Sequence, residues 1–349
     1  MKKRIALIGL GKQNTKDHLI AIQASKDVNL VAICDASKAL REAWSKKLAV
    51  PAFKTVDALL AKIEIDAAVV AVPHFAYLAI IKSLAEHKVD ILKEKPLAMS
   101  FEEAVAIAKI VEEKGINLTV AVQRKHNKIF KTYMDYASRI GDVFSIHGHY
   151  TLNIPQLDGD WRRSKELAGG GAVLDMGYHL LDLVVWYFGI PERVSAELGY
   201  NNRAQQDYDV EDTAKIQFSY KVRNRRILGS ILLSRIYPEK AESITMYGTK
   251  GTVVISKDKI ELCNLDKELM ESMYLKSNGD DIQTQFNAFM NSLDGKGSGN
   301  YQEHLQNMVL IDAIYRSDME GKTVKPHEDL KYLGFKLAPL PAVIAGTNA

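Results

Sequence analysis

Cysteine is scarce in this 349-residue chain, which holds only Cys34 and Cys263. Two thiols so far apart make neither a disulfide framework nor a thiolate metal cage, and they point to a reducing, cytoplasmic compartment. No sign of charge dominates either. With 46 Lys and Arg against 43 Asp and Glu, the formal net charge is +3. That is too weak to make nucleic acid or an anionic membrane the main partner. Long apolar runs are also missing, since no stretch reaches the ~18 residues a membrane helix needs. Met1-Lys2-Lys3-Arg4 before Ile5-Ala6-Leu7-Ile8 imitates a secretory signal. The polar segment 9–17 that follows offers no small-residue cleavage site, so no signal is expected. Internal repeats are lacking, and the Gly-rich loop 294–300 is too short for a domain linker.

What is present is apolar material, 47% of residues, enough for two cores. Apolar runs at 4–8, 29–34, 67–72, 89–92 and 118–122 alternate with helical patterns. Such runs suit strands covered on both faces, joined by right-handed crossovers into a doubly wound parallel sheet. Ser100-Phe101-Glu102-Glu103 is a capping box that opens a helix running to Gly115. After about residue 123 the pattern changes to a helix near 127–140 and then strands of period two at 194–200, 213–220, 227–236, 243–247, 252–256 and 259–263. These predict an open, mainly antiparallel sheet with one face on helices and the other free for a subunit interface. The late helices 282–293 and 303–319 are expected to cover the packed face. The fold class is therefore α/β, with domains at 1–122 and 123–349.

Gly9-Leu10-Gly11-Lys12-Gln13-Asn14 follows the first strand and opens a helix, the setting of a dinucleotide fingerprint. The two glycines would let backbone amides approach a pyrophosphate at a helix N-terminus. Asn14 stands where the third glycine belongs, so a turn wider by one residue is expected. Asp35 ends the second strand, where an acid accepts ribose hydroxyls. Its charge would repel a 2′-phosphate by about 1 to 4 kcal/mol, which favours NAD over NADP. An ordinary Gly-rich turn and a helix cap at Asp35 are the blander alternatives.

Glu94-Lys95-Pro96 carries a strand into a turn at the carboxyl edge of the parallel sheet, directing Lys95 toward the cofactor cleft. Pro96 demands an extended or cis geometry before it. Taken alone, such a tripeptide is a common surface turn. The segment 169–186 is more telling. It reads as one apolar helix opened by three glycines, and the only side chains in it that are charged or titrate near neutral pH are Asp175, His179 and Asp182. Their spacing puts them on one helix face, which suits the lining of a polar cavity. A satisfied core histidine with a buried aspartate partner is the alternative.

These residues resemble the glucose–fructose oxidoreductase, inositol dehydrogenase and rhizopine catabolism family (Gfo/Idh/MocA). The marks are Gly9-Leu10-Gly11, Asp35, Val72-Pro73, Glu94-Lys95-Pro96-Leu97, Trp161-Arg162, Gly169-Gly170-Gly171, Asp175-Met176-Gly177-Tyr178-His179 and Tyr247-Gly248-Thr249-Lys250-Gly251. The resemblance implies an N-terminal NAD-binding Rossmann domain and a C-terminal domain that binds substrate and builds homodimers or homotetramers. It implies hydride transfer between NAD and a secondary alcohol of a sugar or cyclitol. In that scheme Lys95 holds the reacting oxygen, His179 moves the proton and Asp175 orients substrate hydroxyls. Glu94 would contact the nicotinamide ribose. Relatives also include an NAD-dependent glycosidase and a non-catalytic dinucleotide-responsive regulator; the retained Lys95, Asp175 and His179 favour the dehydrogenase.

The family pattern of Thr-Pro-Asn, with a His three residues on, is replaced here by Val72, Pro73, His74 and Tyr77, expected as cofactor contacts. Arg124, Trp161 and Arg162 match positions that reach substrate. With Lys125, His126 and Arg163, the basic residues could hold a phosphate or carboxylate, or simply be solvated. His147 and His149 alternate on a strand without a third ligand at metal spacing, so no metal is expected.

Overall fold

The structure, a computed structural model, describes residues 2–275, 280–295 and 299–326. The chain divides into two compact units, Met1–Gln123 with Asn278–Leu305, and Arg124–Ser277 with Gln306–Ala349.

In the first unit six strands, β1 (Lys3–Ile8), β2 (Val28–Cys34), β3 (Ala52–Phe53), β4 (Ala67–Val70), β5 (Asp90–Glu94) and β6 (Leu118–Ala121), form a sheet in the order β3-β2-β1-β4-β5-β6. Every neighbouring pair is parallel. The β4 run is wholly buried, as a strand covered by helices on both faces must be. The chain steps outward from β1 to β2 and β3, then crosses back to β4 on the other side of β1. That reversal opens a crevice beyond the carboxyl ends of β1 and β4, where segments 9–11 and 71–73 emerge. The expected capping box is present: the Ser100 side chain accepts from Glu103 N, and Glu103 accepts from Met99 N. Its helix, Phe101–Lys114, ends at Gly115 in the left-handed conformation.

The late helix Asp280–Leu293 departs from expectation. It does not cover the second sheet; Phe286 and Phe289 are buried with Leu7, Leu19 and Ile22 in the core of the first unit. Asn300 then bonds both the N–H and the C=O of Val120 on β6. An amphipathic pattern reports that a helix has an apolar face but not which sheet receives it. A single cut after residue 122 therefore leaves out this return of the chain.

The second unit carries β7 (Val143–Asn153), β8 (Arg193–Gly199), β9 (Thr213–Val222), β10 (Arg225–Ser234), β11 (Ile236–Gly248), β12 (Gly251–Ser256), β13 (Lys259–Cys263) and β14 (Leu269–Tyr274). Their order is β14-β13-β12-β11-β7-β10-β9-β8, antiparallel except for the β7–β10 pair. Alternate residues of β9 and β10 are buried, including Ile216, Phe218, Ile227 and Ile231. Among the outward residues of β10, Leu228 is exposed. The helix Lys128–Ala137, capped by the Asn127 side chain, and the helix Tyr178–Phe188 bring Tyr133, Tyr187 and Phe188 together. Tyr187 is fully buried because its hydroxyl has a partner, the Phe130 carbonyl at 2.8 Å. No helix among the described residues is long and apolar enough to cross a membrane.

Candidate active site

The nucleotide-binding end of the first unit is built around Gly9. Its φ of +87° is rarely open to other residues, and a Cβ there would lie 2.1 Å from the Ala71 carbonyl oxygen. Gly11 differs: a Cβ there would meet open space, so neighbouring protein atoms do not demand glycine. After the loop comes a π-helical turn at Asn14–His18, where the Leu19 N–H donates to the Asn14 carbonyl. The fully buried Asn14 amide donates to the carbonyls of Ile8 and Gly9 at 2.8 and 2.7 Å, tying this turn to the end of β1. Asp35 accepts from Leu10 N and from Ser37 N, both at 2.7 Å. It fastens the glycine loop to the end of β2, while Ser37 caps the next helix. Half-buried, Asp35 keeps lone pairs that a ribose hydroxyl can reach.

At the end of β5 the Lys95–Pro96 bond is cis. Glu94 accepts from His18 Nε2 at 2.8 Å, with both side chains largely withdrawn from solvent. Burial opposes charge on Glu94, but the His18 bond and the charges of His18, Lys95 and Lys93 outweigh it and bring its pKa below the ordinary value. Lys12 and Gln13 are exposed, and Val72, Pro73, Glu94 and Lys95 are half-buried. Four of the expected cofactor contacts, Asn14, His74, Tyr77 and Pro96, are buried, Tyr77 at 1% exposure. Burial separates them from the more accessible residues of the same loops, a distinction that spacing does not make.

In the second unit the expected single helix over 169–186 is also corrected. Ala172–Met176 forms a π turn, closed by bonds from Met176 N to Gly171 O and from Gly177 N to Ala172 O, and the α-helix proper is Tyr178–Phe188. A π turn changes the angular step per residue, so the spacing of Asp175 from His179 is not that of a continuous α-helix. Asp175 and His179 are half-buried; Asp182 is 1% exposed and ion-paired with Lys125 at 3.1 Å.

The π turn is set by Glu211, a residue the sequence reading passed over. One carboxylate oxygen accepts from Gly171 N, Val173 N and Tyr315 OH at 2.8 to 2.9 Å, and the Glu211 carbonyl accepts from Ala172 N. Gly171 is needed because a Cβ would lie 2.2 Å from that carbonyl oxygen. An acid wedged between Val210 and the strand that follows was the only hint. Burial raises the Glu211 pKa against the pull of these hydrogen bonds.

The basic residues are matched by acids. Arg162 meets Asp175 at 3.2 Å and Asp160 at 2.9 Å, and lies over the Trp161 ring at 4.3 Å. Arg124 pairs with Glu242 at 2.5 Å, and Arg163 with Asp207 at 2.8 Å. The expected phosphate or carboxylate grip is thus already answered by carboxylates of the same unit. His147 and His149 bond to Ser145, Ser230 and Thr151. Among the described residues no group of three or more His, Cys, Asp or Glu could hold a metal ion.

Two family models match the chain: "Oxidoreductase family, NAD-binding Rossmann fold" over residues 3–122, and "GFO/IDH/MocA C-terminal domain" over residues 136–254. Inositol 2-dehydrogenase of Rhizobium meliloti is 24% identical over 340 residues, covering 93% of this chain and 99% of its own length. Glucose-6-phosphate 3-dehydrogenase of Bacillus subtilis is 29% identical over 231 residues, 61% of this chain and 63% of that protein. Two further curated relatives are matched over only about half of their length. The crystal structure of the WlbA dehydrogenase from Bordetella pertussis, in complex with NADH and UDP-GlcNAcA, superposes with a TM-score of 0.79 at 25% identity, covering 93% of this chain and 99% of that one.

Proposed function

Because the chain belongs to the GFO/IDH/MocA oxidoreductase family, we propose that it is an NAD-dependent dehydrogenase acting on a secondary alcohol of an uncharged sugar or cyclitol. The observation that carries this reading is the pairing of Arg124, Lys125 and Arg162 with carboxylates. A phosphorylated substrate would have to break one of these pairs, leaving a partly buried acid uncompensated. Hydroxyl groups, in contrast, can donate to the Asp175 carboxylate, one oxygen of which meets Arg162.

The open space at Gly11, the helix N-terminus beginning at Lys12 and the Asp35 carboxylate suit a dinucleotide. When bound, the nicotinamide supplies the hydride acceptor or donor. This chain's residues have the complementary task of managing the proton on the reacting oxygen. The Lys95 ammonium donates a hydrogen bond to that oxygen, favouring alkoxide character. His179 takes or returns the proton, a task suited to a side chain that ordinarily titrates near neutrality. Asp175 accepts from a neighbouring hydroxyl and fixes which carbon presents its hydrogen.

NAD is favoured over NADP by Asp35. Asp35→Asn removes the charge and keeps one acceptor for the glycine loop, so the ratio of NADP to NAD affinity should rise at least about fivefold. Binding titrations with each reduced cofactor read this directly, and an unchanged ratio removes Asp35 from the ribose site. The function itself is tested by a panel of sugars, sugar phosphates, sugar nucleotides and inositols, following reduced nicotinamide by absorbance. Uncharged polyols should lead. Preference for a phosphate ester would overturn the charge argument, and silence with every polyol despite dinucleotide binding would overturn the dehydrogenase.

A further inference from the structure

Lys93 lies within β5 at 0% exposure, in register between Val70 of β4 and Val120 of β6. An ammonium in the middle of a covered parallel sheet is costly unless each N–H finds an acceptor. Here each does. Nζ donates to the carbonyls of Glu94 at 2.8 Å, Leu97 at 3.2 Å and Pro96, and the Tyr77 ring closes the remaining side at 3.6 Å. The three acceptors flank Lys95 in the chain, one before it and two after. We propose that Lys93 is a positioning residue: a buried clamp that fixes the main chain on both sides of Lys95 and so aims the Lys95 ammonium. This rests on the role given to Lys95 above.

Only the ammonium has three N–H groups, and the neutral amine must release one carbonyl. Burial pushes the Lys93 pKa well below the ordinary lysine value; Glu94 and Glu103 oppose that shift and Lys95 adds to it. Tyr77 is the other titratable side chain facing the amine. Between the depressed pKa and that of the unfolded chain, the unfolded state holds more protons. Raising the pH through that window should therefore increase stability, whereas the clamp loosens at its lower edge, where the native amine gives up its proton.

Hydrogen exchange followed by mass spectrometry tests the clamp without any substrate. In Lys93→Met, amides of the peptide spanning 94–99 should exchange at least tenfold faster, with exchange elsewhere in the sheet and NADH affinity within threefold of wild type. Lys93→Arg, which keeps the charge and several donors, should recover part of the protection. With whichever polyol the panel identifies, kcat of Lys93→Met should fall at least 30-fold and KM less than threefold. Unchanged exchange at 94–99 overturns the proposal, as does an equal loss of protection throughout the sheet. If Lys93→Met does not fold, Lys93→Gln takes its place, since its amide offers two N–H donors in place of three. Faster exchange at 94–99 then supports the clamp and unchanged exchange overturns it. A panel without turnover would remove the dehydrogenase reading and leave the exchange result standing.

Discussion

His179→Ala should lower turnover at least about 100-fold and leave NAD affinity within a few fold, with Lys95→Ala behaving alike. The expectation follows from charge balance. When hydride leaves a carbinol carbon, the same oxygen must lose its proton, and without an acceptor that proton passes to water. His179 lies in the first turn of the helix Tyr178–Phe188 and is half-buried. Alanine is a strong helix former, so the replacement should spare the helix. If both residues serve the same oxygen, the double variant will lose much less than the product of the two single losses. Steady-state kinetics with NADH fluorescence titrations decide the matter. Loss of cofactor affinity equal to the loss of turnover would make both residues structural.

Glu211→Ala should cost at least about 3 kcal/mol, because the N–H groups of Gly171 and Val173 and the Tyr315 hydroxyl all lose their acceptor in a buried site. Each orphaned donor costs about 1 to 3 kcal/mol, and local relaxation recovers part of the sum. Asp175, carried on the same π turn, should lose its setting, so turnover should fall with stability. Glu211→Gln keeps an acceptor oxygen and should retain most of both. The sign of the pH dependence is fixed by the raised pKa of Glu211. The native carboxyl keeps its proton at a pH where the unfolded one has lost it. Its contribution is thus complete below the unfolded value and declines as pH rises through the native one. Denaturant titrations from about pH 4 to 7 should show this decline in wild type and not in Glu211→Gln. A Glu211→Ala variant as stable as wild type would show that water replaces the carboxylate without cost.

Local chemistry made much of this protein legible in the sequence. The alternation of apolar runs and helices determined the parallel sheet, period-two runs determined the second sheet, and the Ser100 box determined where its helix starts. Gly9, Asp35, Lys95, Asp175 and His179 could be singled out because their types and neighbours are unusual for surface or core. Burial and distant contacts could not be read that way. Tyr77 and Asn14, expected as ligand contacts, are buried, because which side of a loop faces solvent depends on what packs against it. Nothing in the sequence singles out Lys93, yet its amine is held by carbonyls that only the folded turn brings together. Glu211 stands far along the chain from the glycines it organises. The sequence determines which chemistry is available, since that resides in residue types. Only tertiary structure decides which charges are already paired and which backbone groups hold the reactive ones in place, since hydrogen bonds and burial are properties of neighbours in space.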